Sequence, residues 1–205
     1  MKILHNITEQ LSDLVTNSRS NIIFILETIA GIWLFNIINW FTGSPLNILG
    51  TIPRTKKGIL GIIFSWALHA NFNHLFFNTI PLFSLSLIII AFNKNLFFTA
   101  TISILLIEGI AVWLLARKGN HMGASGLIAG YFGLILTLSR EIGSVVSIFL
   151  GLLVLYYFSG ILLSFFPEKA KTSWESHLFG FIAGIITFYL TYYYKIPLIS
   201  LLNYI

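Results

Sequence analysis

The sequence predicts an all-α membrane protein, a bundle of six transmembrane helices with a short fourth helix that starts inside the bilayer. Three observations lead there. Hydrophobic residues make up 57% of the 205-residue chain and charged residues only 9%, with a mean hydropathy of +0.88. Five apolar runs of about 20 residues, the length that spans a bilayer, are joined by a sixth, shorter one. No internal repeat or low-complexity linker divides the chain. A soluble domain carries roughly 25% charged residues, so this surface needs lipid as its solvent, which excludes a soluble enzyme. The net charge of +5 is spread over short loops, too thinly to track phosphates, which excludes a nucleic-acid binder. With no cysteine, disulfide scaffolds and thiolate metal sites are excluded as well.

Residues 1–20 are polar and mixed and lack the apolar core of a signal peptide. They read as a soluble or interfacial tail before a membrane domain over 21–205. Asn21 to Phe41 is the first apolar run. A 31-residue connection, Thr42 to Phe72, follows. Its second half, Gly58 to Leu68, is apolar but too short to span, and reads as re-entrant or interfacial. Asn73 to Phe92 and Leu96 to Ala116 are the second and third spans. Ser125 to Leu138, about 14 residues, would reach roughly 21 Å at 1.5 Å per residue, short of a hydrocarbon core of about 30 Å. A helix this short can begin inside the membrane when the coil before it, here Lys118 to Ala124, is buried in protein or faces water. Val145 to Phe166 and Ser173 to Tyr194 complete the six.

With the N-terminus inside, five cationic residues face in (Lys2, Arg19, Lys94, Arg140 and Lys195) and seven face out. The positive-inside rule therefore leans mildly towards the opposite orientation.

Polar and ionisable groups at membrane depth are costly, and each is a functional candidate. His74, Asn78, Ser125 and His177 qualify. The second, fourth and sixth helices run in one direction, so their N-terminal ends, which carry these residues, share one membrane face. His74 and Asn78, spaced i, i+4, project from one helix stripe and can aim two donors at one developing oxyanion. The competing reading is an inter-helix hydrogen-bonded pair. Ser125 lies in Gly123-Ala124-Ser125-Gly126. The flanking glycines permit a sharp coil-to-helix turn, and a helix start offers unpaired N–H groups beside the hydroxyl. The competing reading is a plain N-cap. His177, Gly180 and Gly184 share one helix face, matched by Gly126 and Gly130 on the fourth helix. Small residues at this spacing let helices pack closely in lipid and bring Ser125 and His177 near each other as nucleophile and base. The competing reading is packing alone. His69 is expected to brace the loop–helix junction. Glu27 and Glu108 are read as structural, and Glu175, two residues before His177, faces the wrong way for a third triad member.

The combination His69-x4-His74-x3-Asn78, Gly123-Ala124-Ser125-Gly126 and His177-x2-Gly180-x3-Gly184 resembles the rhomboid family of intramembrane serine proteases, in the family's order, over about Leu49 to Tyr194. Pro53-Arg54-Thr55 followed by Gly58 and Gly61 looks like the first loop of one bacterial branch. The resemblance implies a six-helix fold in the bacterial cytoplasmic membrane and a Ser125–His177 dyad. It implies an oxyanion hole from His74, Asn78 and the Ser125 N–H, with no metal and no cofactor. Its substrates would be single-pass membrane proteins, cut near a helix-destabilised stretch after a small residue. The sequence departs from the family's pattern at three places. Ala129 replaces the aromatic residue that packs on the histidine ring, leaving Trp174, Tyr131 or a backbone carbonyl to orient His177. The first loop lacks the Trp-Arg pair, and Phe92-Asn93-Lys94-Asn95 stands where Glu-Arg is common.

Two other readings compete. One is a membrane haem or metal protein ligated by His74, His121 and His177, although no His-Glu-x-x-His or Cys-x-x-Cys-His motif is present. The other is a non-catalytic rhomboid-like binder of transmembrane helices.

Overall fold

The computed structural model describes residues 2–166 and 173–192. Six helices carry the architecture: α1 (Lys2–Phe41), α2 (Phe72–Phe92), α3 (Lys94–Leu115), α4 (Ser125–Ile142), α5 (Val145–Phe158) and α6 (Trp174–Tyr192). Among the described residues there is no β-strand, only an isolated antiparallel bridge between Thr51 and His121. Among the described residues, three stretches are long and apolar enough to cross a bilayer: His5–Phe41, Phe72–Phe92 and Lys94–Leu115. Large apolar side chains such as Ile23, Leu34, Phe77, Ile110 and Leu152 point outwards, as expected of a protein whose solvent is lipid. This is an integral membrane protein.

Helix starts follow local chemistry. Asn71 Oδ1 accepts the His74 N–H at 2.9 Å and caps α2. Asn93 Oδ1 accepts the Leu96 N–H at 2.9 Å and caps α3, so one residue joins the two helices. Ser144 Oγ accepts the Ser147 N–H at 3.1 Å and caps α5. These caps satisfy first-turn donors that have no partner within the helix.

Several boundaries differ from those read in the sequence. Residues 2–20 are helical and continuous with the first apolar run, in one 40-residue helix. No glycine or proline interrupts the chain before Gly31, so nothing local stops the helix. At 1.5 Å per residue α1 is about 60 Å long, twice a hydrocarbon core. α4 has 18 residues and continues beyond Leu138 to Ile142. Ser139-Arg140-Glu141 ends the apolar run but not the helix, which stops at Gly143 in the left-handed region (φ 63°). α5 ends at Phe158, and a single turn, Gly160–Leu163, follows it. The sixth run was expected to reach Tyr194; α6 is described to Tyr192, and residues 193 and 194 lie outside the described residues.

The most extensive helix contact is α4 against α6, followed by α1 against α2 and α3 against α6. Glycines make the first possible. A Cβ on Gly180 would lie 2.0 Å from the Gly126 carbonyl oxygen, and one on Gly184 would lie 1.9 Å from that of Gly130. The backbones touch, which is how helices gain van der Waals contact in lipid. Around this pair Tyr131, Phe132, Leu134, Ile135 and Phe188 are fully buried. Trp33 Nε1 donates to Thr79 Oγ1 at 3.0 Å and ties α1 to α2.

The connection between α1 and α2 is a folded layer. It holds short helical turns at Lys57–Ile59, Gly61–Phe64 and Ser65–Ala67. Arg54 Nη1 donates to the Leu114 carbonyl at 2.8 Å, and Trp113 Nε1 donates to the Thr55 carbonyl at 2.9 Å. Gly123 N–H donates to the Ser65 carbonyl at 3.0 Å. These bonds fix the connection against the end of α3 and against the coil that leads into α4.

Candidate active site

Ser125 is the first residue of α4. The coil before it turns through Gly123, whose φ of 127° lies in a region that only glycine occupies readily. A Cβ there would lie 2.7 Å from His74 Cε1 and 2.8 Å from His74 Nε2. The His74 ring therefore lies directly against the serine-bearing turn. The Asn78 amide nitrogen lies 3.6 Å from the same point, one helical turn further along α2.

His69 supports the turn from behind. It is fully buried, and its Nε2 accepts the Ala124 N–H at 3.3 Å. It is itself fixed by Asn36, whose Oδ1 accepts the His69 N–H at 2.7 Å and whose Nδ2 donates to the Ala67 carbonyl at 2.7 Å. Trp40 Nε1 donates to the His69 carbonyl at 2.9 Å. The His69 and His74 rings meet edge-on with centroids 5.1 Å apart.

The opposite wall of the site is α6, where His177 stands on the first turn. Its Nδ1 lies 3.3 Å from the Ser164 carbonyl oxygen. A carbonyl only accepts, so Nδ1 carries the proton and Nε2 carries the lone pair when the ring is neutral. Of Trp174, Tyr131 and a backbone carbonyl, the carbonyl is the one that meets this ring among the described residues. Tyr131 is engaged elsewhere, its hydroxyl 2.6 Å from Thr101 Oγ1.

Ser125, His177, His74, Asn78 and Gly123 line one cavity of about 670 Å³. Gly126, Gly180 and Gly184 lie outside it, in the α4–α6 contact. Asn78 Nδ2 is buried with no hydrogen-bond partner among the described residues. No hydrogen bond joins Ser125 to His177 among the described residues, so the two share the cavity without being bonded. Apo sites often show such loose geometry, which tightens when substrate binds.

Glu175 turns away from the cavity, as its position in the helix predicts. Its Oε1 pairs with Arg117 Nε at 3.1 Å and accepts the Arg117 N–H at 3.3 Å. Among the described residues no group of three His, Cys, Asp or Glu side chains could hold a metal ion. His121 is also committed, with Nδ1 2.5 Å from Ser173 Oγ and Nε2 3.0 Å from the Arg117 carbonyl oxygen. Sequence reasoning missed Asn36, although a polar residue inside the first apolar run was a visible signal. It also missed the Ser164 carbonyl, for which a sequence offers none.

A family profile described as Rhomboid domain matches residues 56–194. Uncharacterized proteins of Mycobacterium bovis and Mycobacterium tuberculosis are each 35% identical over 175 residues, covering 81% of this chain and 73% of theirs. One from Mycobacterium leprae is 34% identical over 176 residues, covering 81% of this chain and 69% of its own. No solved structure matches the chain.

Proposed function

Since the chain belongs to the rhomboid family, we propose that it is an intramembrane serine endopeptidase with Ser125 as nucleophile and His177 as base. The observation that carries this reading is the shared cavity: Ser125, His177, His74 and Asn78 all line it. In the reaction, Ser125 Oγ attacks the scissile carbonyl while His177 Nε2 takes the hydroxyl proton. The Ser164 carbonyl holds Nδ1–H and favours the imidazolium that forms, so no carboxylate is required. The oxyanion is held by the Ser125 N–H, His74 and the Asn78 amide, whose lack of a partner in the resting protein suits a donor reserved for the transition state. His177 then gives its proton to the leaving amine. Water, activated by the same histidine, hydrolyses the acyl-enzyme.

The same reading takes the bundle as six spans, with α4 beginning inside the bilayer so that the cavity lies below the membrane surface. Residues 1–20 form a tail to a protease domain over 21–205. The substrates are transmembrane segments of other proteins, and the location is a bacterial cytoplasmic membrane. The experiment is labelling of the detergent-solubilised protein with a fluorophosphonate. Labelling at Ser125, abolished by Ser125→Ala, supports an active protease. A folded protein that neither reacts nor cleaves would favour the non-catalytic binder of transmembrane helices.

A further inference from the structure

The connection between α1 and α2 carries cations without counter-charges. Residues 42–72 hold Arg54, Lys56 and Lys57 and no acidic residue. Residues 116–124, just past α3, hold Arg117 and Lys118 and again no acidic residue. The ion pairs among the described residues are His5–Glu9, Arg117–Glu175 and Arg140–Glu141. Arg54, Lys56, Lys57 and Lys118 take part in none of them, and all four are exposed.

The local fold holds these side chains outwards. Thr55 N–H donates to the Ile52 carbonyl at 3.3 Å, and Gly58 N–H donates to the Thr55 carbonyl at 3.2 Å, so residues 54–57 form the tip of a tight loop. A Cβ on Gly58 would lie 2.0 Å from the Ile52 carbonyl oxygen, which closes the loop to any other residue. Arg54 is committed to the end of α3: its N–H donates to the Trp113 carbonyl at 2.9 Å and its Nη1 to the Leu114 carbonyl, where a cation meets the negative end of the helix dipole. Lys56 and Lys57 have no side-chain partner among the described residues.

Directly after them come Ile59, Leu60, Ile63 and Phe64, each roughly half-exposed. Their i, i+4 spacing puts them on one face of the short helical turns, while Gly58 and Gly61 are buried. Large exposed apolar side chains within a turn or two of paired lysines suit a segment lying in the bilayer interface. The apolar groups reach acyl chains, and the lysine stems lie along them and lift their ammonium groups to the phosphates. A zwitterionic headgroup largely cancels its own charge, whereas unpaired cations gain from a headgroup that is net negative.

We propose that Lys56 and Lys57 form a site for the headgroup of an anionic phospholipid, with Ile59, Leu60, Ile63 and Phe64 against its acyl chains. The same layer supplies the Ser65 carbonyl that accepts the Gly123 N–H, so the lipid steadies the support of the coil before α4. The site does not depend on the protease reading and is tested without turnover.

The experiment uses the full chain in liposomes of phosphatidylcholine and phosphatidylglycerol, with one lipid or the other brominated in its acyl chains. Trp113, bonded to the loop tip through Thr55, reports the neighbouring lipid, and subtraction of Trp113→Phe isolates its fluorescence from that of the other tryptophans. Brominated phosphatidylglycerol is expected to quench Trp113 at a lower mole fraction than brominated phosphatidylcholine. Lys56→Gln with Lys57→Gln should shrink this preference by about fivefold per lysine, the worth of one near-surface cation. Both lysines are exposed, so the variant should melt as the unaltered chain does. Lys94→Gln removes an exposed cation at the other end of α3 and should leave the preference unchanged. Salt of about 1 M should weaken it, because the screening length falls to about 3 Å. Equal quenching by the two lipids in the unaltered chain would overturn the proposal, as would a preference that survives the loss of both lysines or falls equally in Lys94→Gln. Loss of the preference on adding inorganic phosphate at matched ionic strength would also overturn it, by making the lysines a site for a soluble anion.

Discussion

His177 Nδ1 lies 3.3 Å from the carbonyl oxygen of Ser164, the residue that follows the single turn Gly160–Leu163. A backbone acceptor thus occupies the place that a carboxylate fills in a three-membered triad, and it selects the tautomer with its lone pair on Nε2. A carbonyl dipole stabilises an imidazolium less than a full charge does, and the proposed Ser125–His177 dyad relies on that weaker support.

Ser125→Ala and His177→Ala should each abolish cleavage while leaving the fold intact, because either loss disables the same step. The double variant should be no slower than the singles. Steady-state cleavage of a membrane substrate, with melting in detergent as the control, checks this. A double variant far slower than both singles would sink the dyad.

Asn78→Ala should lower kcat rather than raise KM, because in the proposed mechanism its amide holds charge that exists only in the transition state. Loss of one oxyanion donor costs on the order of 10²–10³ in rate. With His74 and the Ser125 N–H remaining, the low end is expected. Since Asn78 Nδ2 has no partner among the described residues, stability should hardly change. A folded variant cleaving at the wild-type rate would return Asn78 to a packing role.

Much of this was legible because lipid makes polar residues conspicuous. His74, Asn78, Ser125 and His177 stand out in apolar runs, and all four line one cavity. The glycine spacing on α4 and α6 announced their contact, and the touching backbones at Gly180 and Gly184 are its outcome. Hydropathy could not see that Lys2 to Ser20 continues α1, because a helix outside lipid needs only the absence of breakers. Nor could it see α4 passing Leu138. The bond of His121 to Ser173 joins residues far apart in the chain, where no local pattern reports.

His69→Ala should weaken the serine-bearing turn. It removes the acceptor of the Ala124 N–H and leaves that buried donor unpaired, at a cost of about 1–3 kcal/mol. It also opens a cavity beside Asn36. A lower melting temperature together with slower fluorophosphonate labelling of Ser125 is expected. An unchanged labelling rate would show that the turn holds without His69.

Gly123→Ala tests the geometry of the turn itself. Two effects act together. The φ of 127° is strained for any residue with a Cβ, at about 1–3 kcal/mol. The new methyl would lie 2.7 Å from His74 Cε1, so either the imidazole moves or the turn does. Both movements carry an oxyanion donor away from the carbon that Ser125 attacks, and displacements near 1 Å cost about 10²-fold in rate. Activity should therefore fall much further than the melting temperature, with kcat taking most of the loss. Gly119→Ala is the control, because the nearest atom to its Cβ, His121 Nε2, lies at an ordinary 3.7 Å and its φ is not in the positive range. If both alanine variants cleave alike, Gly123 does not shape the site.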